Sequence, residues 1–191
     1  MKNRVETESA NGGVQIYHER QEKELCAIHA MNNLFQRKAF VQKDIDKLCY
    51  QLSPSTFFNP HRSMFGTGNY DVNVIMAAME SQGHEVIWFD KRRNTDELQL
   101  ENIEGFILNI PSDYKLGGLI PLSFNRKHWV AIRKIVDTYY NLDSKLKSPD
   151  SLGDSRKVLH YLQTQLLEKE RELLIIVKPE IHKDGSWKRA T

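Results

Sequence analysis

Apolar residues in the first half of the chain recur at helical spacing, and in the second half they alternate as strands do. Leu25, Ile28, Met31, Leu34 and Phe35 form one stripe. They predict a helix starting at Glu22 or Glu24, where acidic residues suit the positive end of the dipole. A second stripe, Ile45, Leu48, Cys49 and Leu52, predicts a helix over Gln42–Leu52 with Pro54 just beyond it. A third, Val72, Ile75, Met76 and Met79, is capped by Asp71 and closed by Gly83. After Gly83 the period shortens. Residues 85–90, 105–110, 127–134, 138–143 and 172–178 read as strands. One more helix, over residues 154–167, turns Val158, Leu159, Leu162 and Leu166 inward. Helices first and strands later point to an α+β fold with a mainly antiparallel sheet.

Both ends are polar. Residues 1–14 carry Asn11-Gly12-Gly13 and predict a flexible tail, residues 15–180 a single domain, and residues 181–191 a short polar tail. With 191 residues, 40% of them hydrophobic, the chain can bury one sizeable core. The net charge of +2 is mixed over both signs, without the one-sided basic footprint of a nucleic-acid binder. The densest apolar run, Leu173-Leu174-Ile175-Ile176-Val177, is far too short to span a membrane. The amino terminus has no apolar signal segment. Two cysteines, Cys26 and Cys49, make no disulfide framework, and the expectation is a cytoplasmic protein with reduced thiols.

Composition leaves one stretch with chemical potential. Cys26 falls in the first turn of the first helix, where the dipole and unsatisfied N–H groups favour a thiolate. Cys49 sits on an apolar stripe and reads as core filler. A thiol nucleophile needs a base, and the base needs a third group to orient it. Seven histidines are available. His29 shares a helix with Cys26 and reads as a packing or polar-network residue. His18, His61, His84, His160 and His182 read as surface residues. His128 differs, because it opens a strand that turns back at Val136-Asp137. A two-residue loop there pairs Val130 with Asp143 and His128 with Lys145, which leaves His128 and Asp143 diagonal neighbours at the hairpin's open end. Asn141, one pair further in, is the weaker orienter. Gln21, five residues before Cys26, is placed to offer its amide N–H to a developing oxyanion, beside the backbone N–H of Cys26. The stretch Gly66-Thr67-Gly68-Asn69-Tyr70 lacks the third glycine of a dinucleotide fingerprint and reads as a loop.

These residues together resemble the Josephin domain. Tyr17-His-Glu-Arg-Gln21 and Leu25-Cys26-Ala-Ile-His29-Ala-Met-Asn32-Asn33-Leu34 are similar to its opening motif. Residues 68–75, His128-Trp129 and Tyr140-Asn-Leu-Asp-Ser144 resemble its later ones, in order. The resemblance runs over residues 15–179 and is nearest to the short Josephin-only proteins. It implies a papain-like cysteine peptidase that removes ubiquitin, with Cys26 as nucleophile, His128 as base, Asp143 as orienter and Gln21 in the oxyanion hole. Ubiquitin and ubiquitin-conjugated proteins would be its partners. No metal or cofactor, no nucleic acid and no transmembrane segment are implied, and the chain is expected to be a monomer. Ataxin-type Josephins carry asparagine at the third position, where this chain has Asp143. Two other readings stand beside the deubiquitinase: another Cys-His-Asp amide hydrolase or acyl transferase, and a ubiquitin-binding adaptor with weak turnover.

Overall fold

The alternating second half of the chain builds a six-stranded antiparallel sheet, and the helices of the first half cover one of its faces. The computed structural model describes residues 5–10, 14–21, 24–54, 59–62, 68–112, 115–116, 120–121 and 126–189. In chain order these form β1 (Val5–Ala10), β2 (Val14–Glu19), α1 (Cys26–Phe35), α2 (Gln42–Leu52), α3 (Val72–Ser81), β3 (Glu85–Trp88) and β4 (Gly105–Ser112). The two-residue strands β5 (Lys115–Leu116) and β6 (Ile120–Pro121) follow, then β7 (Arg126–Ile135), β8 (Thr138–Asn141) and β9 (Asp150–Gly153). Last come α4 (Ser155–Leu167), β10 (Glu172–Val177) and α5 (Pro179–Asp184).

The large sheet has the order β3-β10-β4-β7-β8-β9. Its two faces are sorted by the two-residue period of a strand. Ile107, Trp129, Ala131, Leu174 and Ile176 join α1, α2 and α3 in one core. Phe106, Leu108, Val130, Ile132, Leu173, Ile175 and Val177 join α4 in the other. Burial on both faces is why β10 reads as an unbroken apolar run. Each such side chain contributes about 1.5–3 kcal/mol of transfer free energy. Gly105 lets α1 come close to the sheet, because a Cβ there would lie 2.7 Å from the Leu34 side chain and 2.8 Å from the Ile132 carbonyl oxygen.

Three expectations need correction. Val5–Ala10, read as part of a flexible tail, is a strand paired with Val14–Glu19 from Val5↔Glu19 to Ala10↔Val14; a polar strand pairs through its backbone, which hydropathy does not register. The predicted C-terminal tail is docked. α5 ends at Gly185, whose φ of 74° suits glycine. The Gln99 N–H then donates to the Trp187 carbonyl at 2.8 Å and the Arg189 N–H to the Glu97 carbonyl at 2.7 Å. The first helix begins at Cys26 itself, and Glu24 forms a parallel bridge with Gly68. Among the described residues, no helix is long and apolar enough to cross a membrane.

Candidate active site

Cys26 opens α1 and is 6% exposed. Leu25, at the cap position, brings no side-chain acceptor to the first-turn N–H groups. The approach to Cys26 is held by the loop before α3, where the Asn69 N–H donates to the Glu24 carbonyl at 2.9 Å. Gly68 makes this contact possible. Its φ is 116°, and a Cβ there would fall 2.2 Å from the Glu24 carbonyl oxygen.

His128 is near the start of β7, paired with Ile110 of β4 and 2% exposed. The β7–β8 hairpin has the register expected from a Val136-Asp137 loop, with Ile135↔Thr138 and Ile132↔Asn141. One further bond, Leu142 N–H to the Ala131 carbonyl at 2.8 Å, continues the pairing, and the chain then turns at Asp143. Oδ1 of Asp143 lies 2.6 Å from Nε2 of His128 and also accepts the Lys145 N–H at 2.9 Å. Asn141 is engaged in the turn itself. Its Oδ1 accepts the Asp143 backbone N–H at 3.0 Å, so it shapes the turn that presents the carboxylate.

The electrostatics follow from these contacts. Burial of the His128 imidazole disfavours its charged form, but hydrogen bonds to Asp143 and Cys26, with their charges, outweigh it and raise its pKa. Burial likewise pushes the Asp143 carboxyl up. The His128 hydrogen bond and charge, with the Lys145 N–H, prevail and hold it below the usual carboxylate range. An ionised Asp143 accepts from Nε2–H, which leaves Nδ1 for the Cys26 thiol.

Gln21 follows β2, and its backbone N–H donates to the Ser144 carbonyl at 2.7 Å. Gln21, Cys26 and His128 line one cleft with Glu24, Asn69, Ser112 and Lys127. Asn69 therefore borders the cleft, whereas Gly66 and Thr67 lie outside the described residues. Trp129 is buried in the helical core, and its Nε1–H donates to the Tyr70 carbonyl at 3.0 Å. It braces that loop from behind.

The remaining histidines divide. His29 is the network residue expected, with Nδ1 2.7 Å from the buried Glu19 carboxylate. His18 and His84 are buried rather than superficial. Nε2 of His18 lies 3.1 Å from the Asp143 carbonyl, and His84 packs edge-on against Phe35. His61 pairs with Asp71 at 2.8 Å in a half-buried site. His160 and His182 are exposed. Cys49 is core, and burial, with the Asp46 charge, pushes its thiol up to about 11.

Sequence reasoning missed a buried polar group behind the cleft. Asn32 donates to both Glu19 carboxylate oxygens at 3.2 and 3.1 Å, and Asn33 bonds the Glu19 backbone. The signal was present: two asparagines stand consecutively in a helix whose other residues before Phe35 are all buried.

Comparison with known proteins gives the family. The Josephin family model matches residues 21–177. Josephin-2 from Homo sapiens is 48% identical over 174 residues, covering 91% of this chain and 92% of the relative. A Josephin-like protein from Drosophila melanogaster is 48% identical, covering 91% and 79%. Ataxin-3 from Homo sapiens is 28% identical, covering 87% of this chain and 46% of its own length. The chain belongs to the Josephin family of deubiquitinating cysteine proteases.

Proposed function

We propose that this chain hydrolyses isopeptide and peptide bonds at the C-terminal glycine of ubiquitin through a Cys26–His128–Asp143 triad. The observation that carries the reading is the 2.6 Å contact of Asp143 with His128 at a cleft that Cys26 and Gln21 also line.

The Cys26 thiolate attacks the glycine carbonyl. The Gln21 side-chain amide and the Cys26 backbone N–H receive the oxyanion, a contribution of about 10²–10³ in rate for one such donor. Protonated His128 gives its proton to the leaving lysine amine, and the thioester remains on Sγ. His128 then takes a proton from water, which attacks the thioester and frees ubiquitin and the thiol. Acid–base work of this kind is worth roughly 10²–10⁴. All four groups come from one chain, so a monomer carries the whole site. Its two cysteines are free thiols, which suits a reducing, cytoplasmic setting.

The test is ubiquitin carrying a C-terminal electrophile. The expected result is an adduct of one ubiquitin per chain at Cys26. A folded, reduced protein that forms none overturns the proposal. Binding without adduct would favour the adaptor, and turnover of other amides alone would favour another acyl-transfer enzyme.

A further inference from the structure

The groups at the cleft arrive from three separate parts of the chain: the end of β2, the start of α1 and the β7–β8 hairpin. One buried side chain on the first helix grips both of the other parts. Asn33 is fully buried on α1, about two turns beyond Cys26 on the same face. Its Oδ1 accepts the Glu19 backbone N–H at 2.6 Å, and its Nδ2 donates to the Glu19 carbonyl at 3.2 Å and the Leu142 carbonyl at 3.0 Å. Glu19 stands two residues before Gln21, and Leu142 one residue before Asp143.

Two further contacts close the same circuit. His18 reaches the Asp143 carbonyl, and the Gln21 N–H reaches the Ser144 carbonyl. Asn33 uses one acceptor and both of its amide protons at once. Aspartate has the shape but no donor, serine has a single donor, and glutamine is longer by one methylene.

We propose that Asn33 is a positioning residue that sets the spacing between the Cys26 helix, the Gln21 segment and the Asp143 turn. The proposal deepens the deubiquitinase reading and rests on it for its role in turnover. Asn33 touches no reacting atom. It acts by holding the Leu142–Asp143 peptide where the carboxylate meets His128.

Asn33→Asp tests this, because it keeps the shape and removes both donated bonds. Kinetics with a ubiquitin C-terminal amide, at a temperature where circular dichroism shows the native fold, should show kcat down roughly 10–100-fold with KM nearly unchanged. The rate of Cys26 alkylation by iodoacetamide, read by peptide mass across neutral to alkaline pH, should have its His128-dependent limb moved to lower pH. Such a limb shift is not produced by lost stability alone. Activity that falls only with the folded fraction, and a limb left where the parent protein has it, overturn the proposal. If Asn33→Asp does not fold, Asn33→Ser keeps one donor and is read by the same two outcomes. Alkylation needs no ubiquitin. A parent protein that ignores the ubiquitin electrophile therefore defeats the deubiquitinase reading without deciding the role of Asn33.

Discussion

Nε2 of His128 and Oδ1 of Asp143 lie 2.6 Å apart, and the same oxygen holds the Lys145 N–H. The carboxylate is thus fixed by the turn it belongs to before it meets the imidazole. Asp143→Asn keeps an acceptor in place and removes the charge. The raised His128 pKa means that its proton is fully held below the ordinary histidine range and lost as pH rises through the raised value. The variant should keep measurable activity while the alkaline limb of its pH–rate profile moves down. Asp143→Ala should lose about 10²–10⁴ in kcat/KM. A limb that does not move in Asp143→Asn means that the carboxylate does not set the charge of His128.

The two thiols should separate cleanly. Cys26→Ala abolishes labelling by the ubiquitin electrophile. Cys49→Ala leaves labelling intact and lowers stability by about 1 kcal/mol, read from the urea midpoint, because it trims a fully buried side chain. Equal loss of labelling in both would give Cys49 a part in the chemistry.

Glu19 governs the acid side of stability. Burial pushes its carboxyl up, but hydrogen bonds from His29, Tyr17 and Asn32 outweigh that and hold it below the usual range. Such a depressed group contributes stability that is present above the ordinary glutamate range and lost as pH falls through the depressed value. Glu19→Gln should therefore flatten the acid limb of the stability curve. Glu19→Ala should cost about 1–3 kcal/mol at neutral pH, because it removes the buried acceptor shared by His29 and Asn32. Denaturant titrations at several pH values decide both.

Val136 holds the first central position of the β7–β8 turn at φ 56° and is 65% exposed. A β-branched residue is strained there, and asparagine tolerates the left-handed region. Val136→Asn should raise stability by about 0.5–1 kcal/mol with unchanged turnover. An unchanged or lower melting temperature would mean that the turn stores no such strain.

Gly68→Ala should have the opposite character. The new Cβ collides with the Glu24 backbone, the segment leading to Cys26. Movement of about 1 Å at a reacting group costs up to ~10²-fold in rate. Electrophile labelling should slow at least about tenfold, while Gly83→Ala, at a helix end with open space around it, leaves labelling unchanged.

The helices with clean apolar stripes and the apolar strands were legible in sequence, and so was the hairpin that joins His128 to Asp143, because its loop length sets its register. Cys26 stands out in the sequence as a candidate nucleophile by its place at a helix start, and His128 and Asp143 are sought for it from there. Other features have no hydropathic trace. β1 reads Val-Glu-Thr-Glu-Ser-Ala, and β9, at the sheet edge, reads Asp-Ser-Leu-Gly. The burial of His18 and the grip of Asn33 depend on which strand ends lie beside α1, and that is a property of the assembled fold. The insertion of β10 between β3 and β4 joins segments far apart in the chain, which no local pattern encodes.

That central strand has a consequence for how the protein is made. Cys26 emerges about one hundred residues ahead of His128, so at ~5–20 residues per second the thiol exists for several seconds before that imidazole is made. Even once His128 and Asp143 have followed, the sheet that holds their hairpin lacks its inner strand until residues 172–177 are synthesised. The cleft groups therefore cannot be held in their final arrangement before residues 172–177 have joined the sheet.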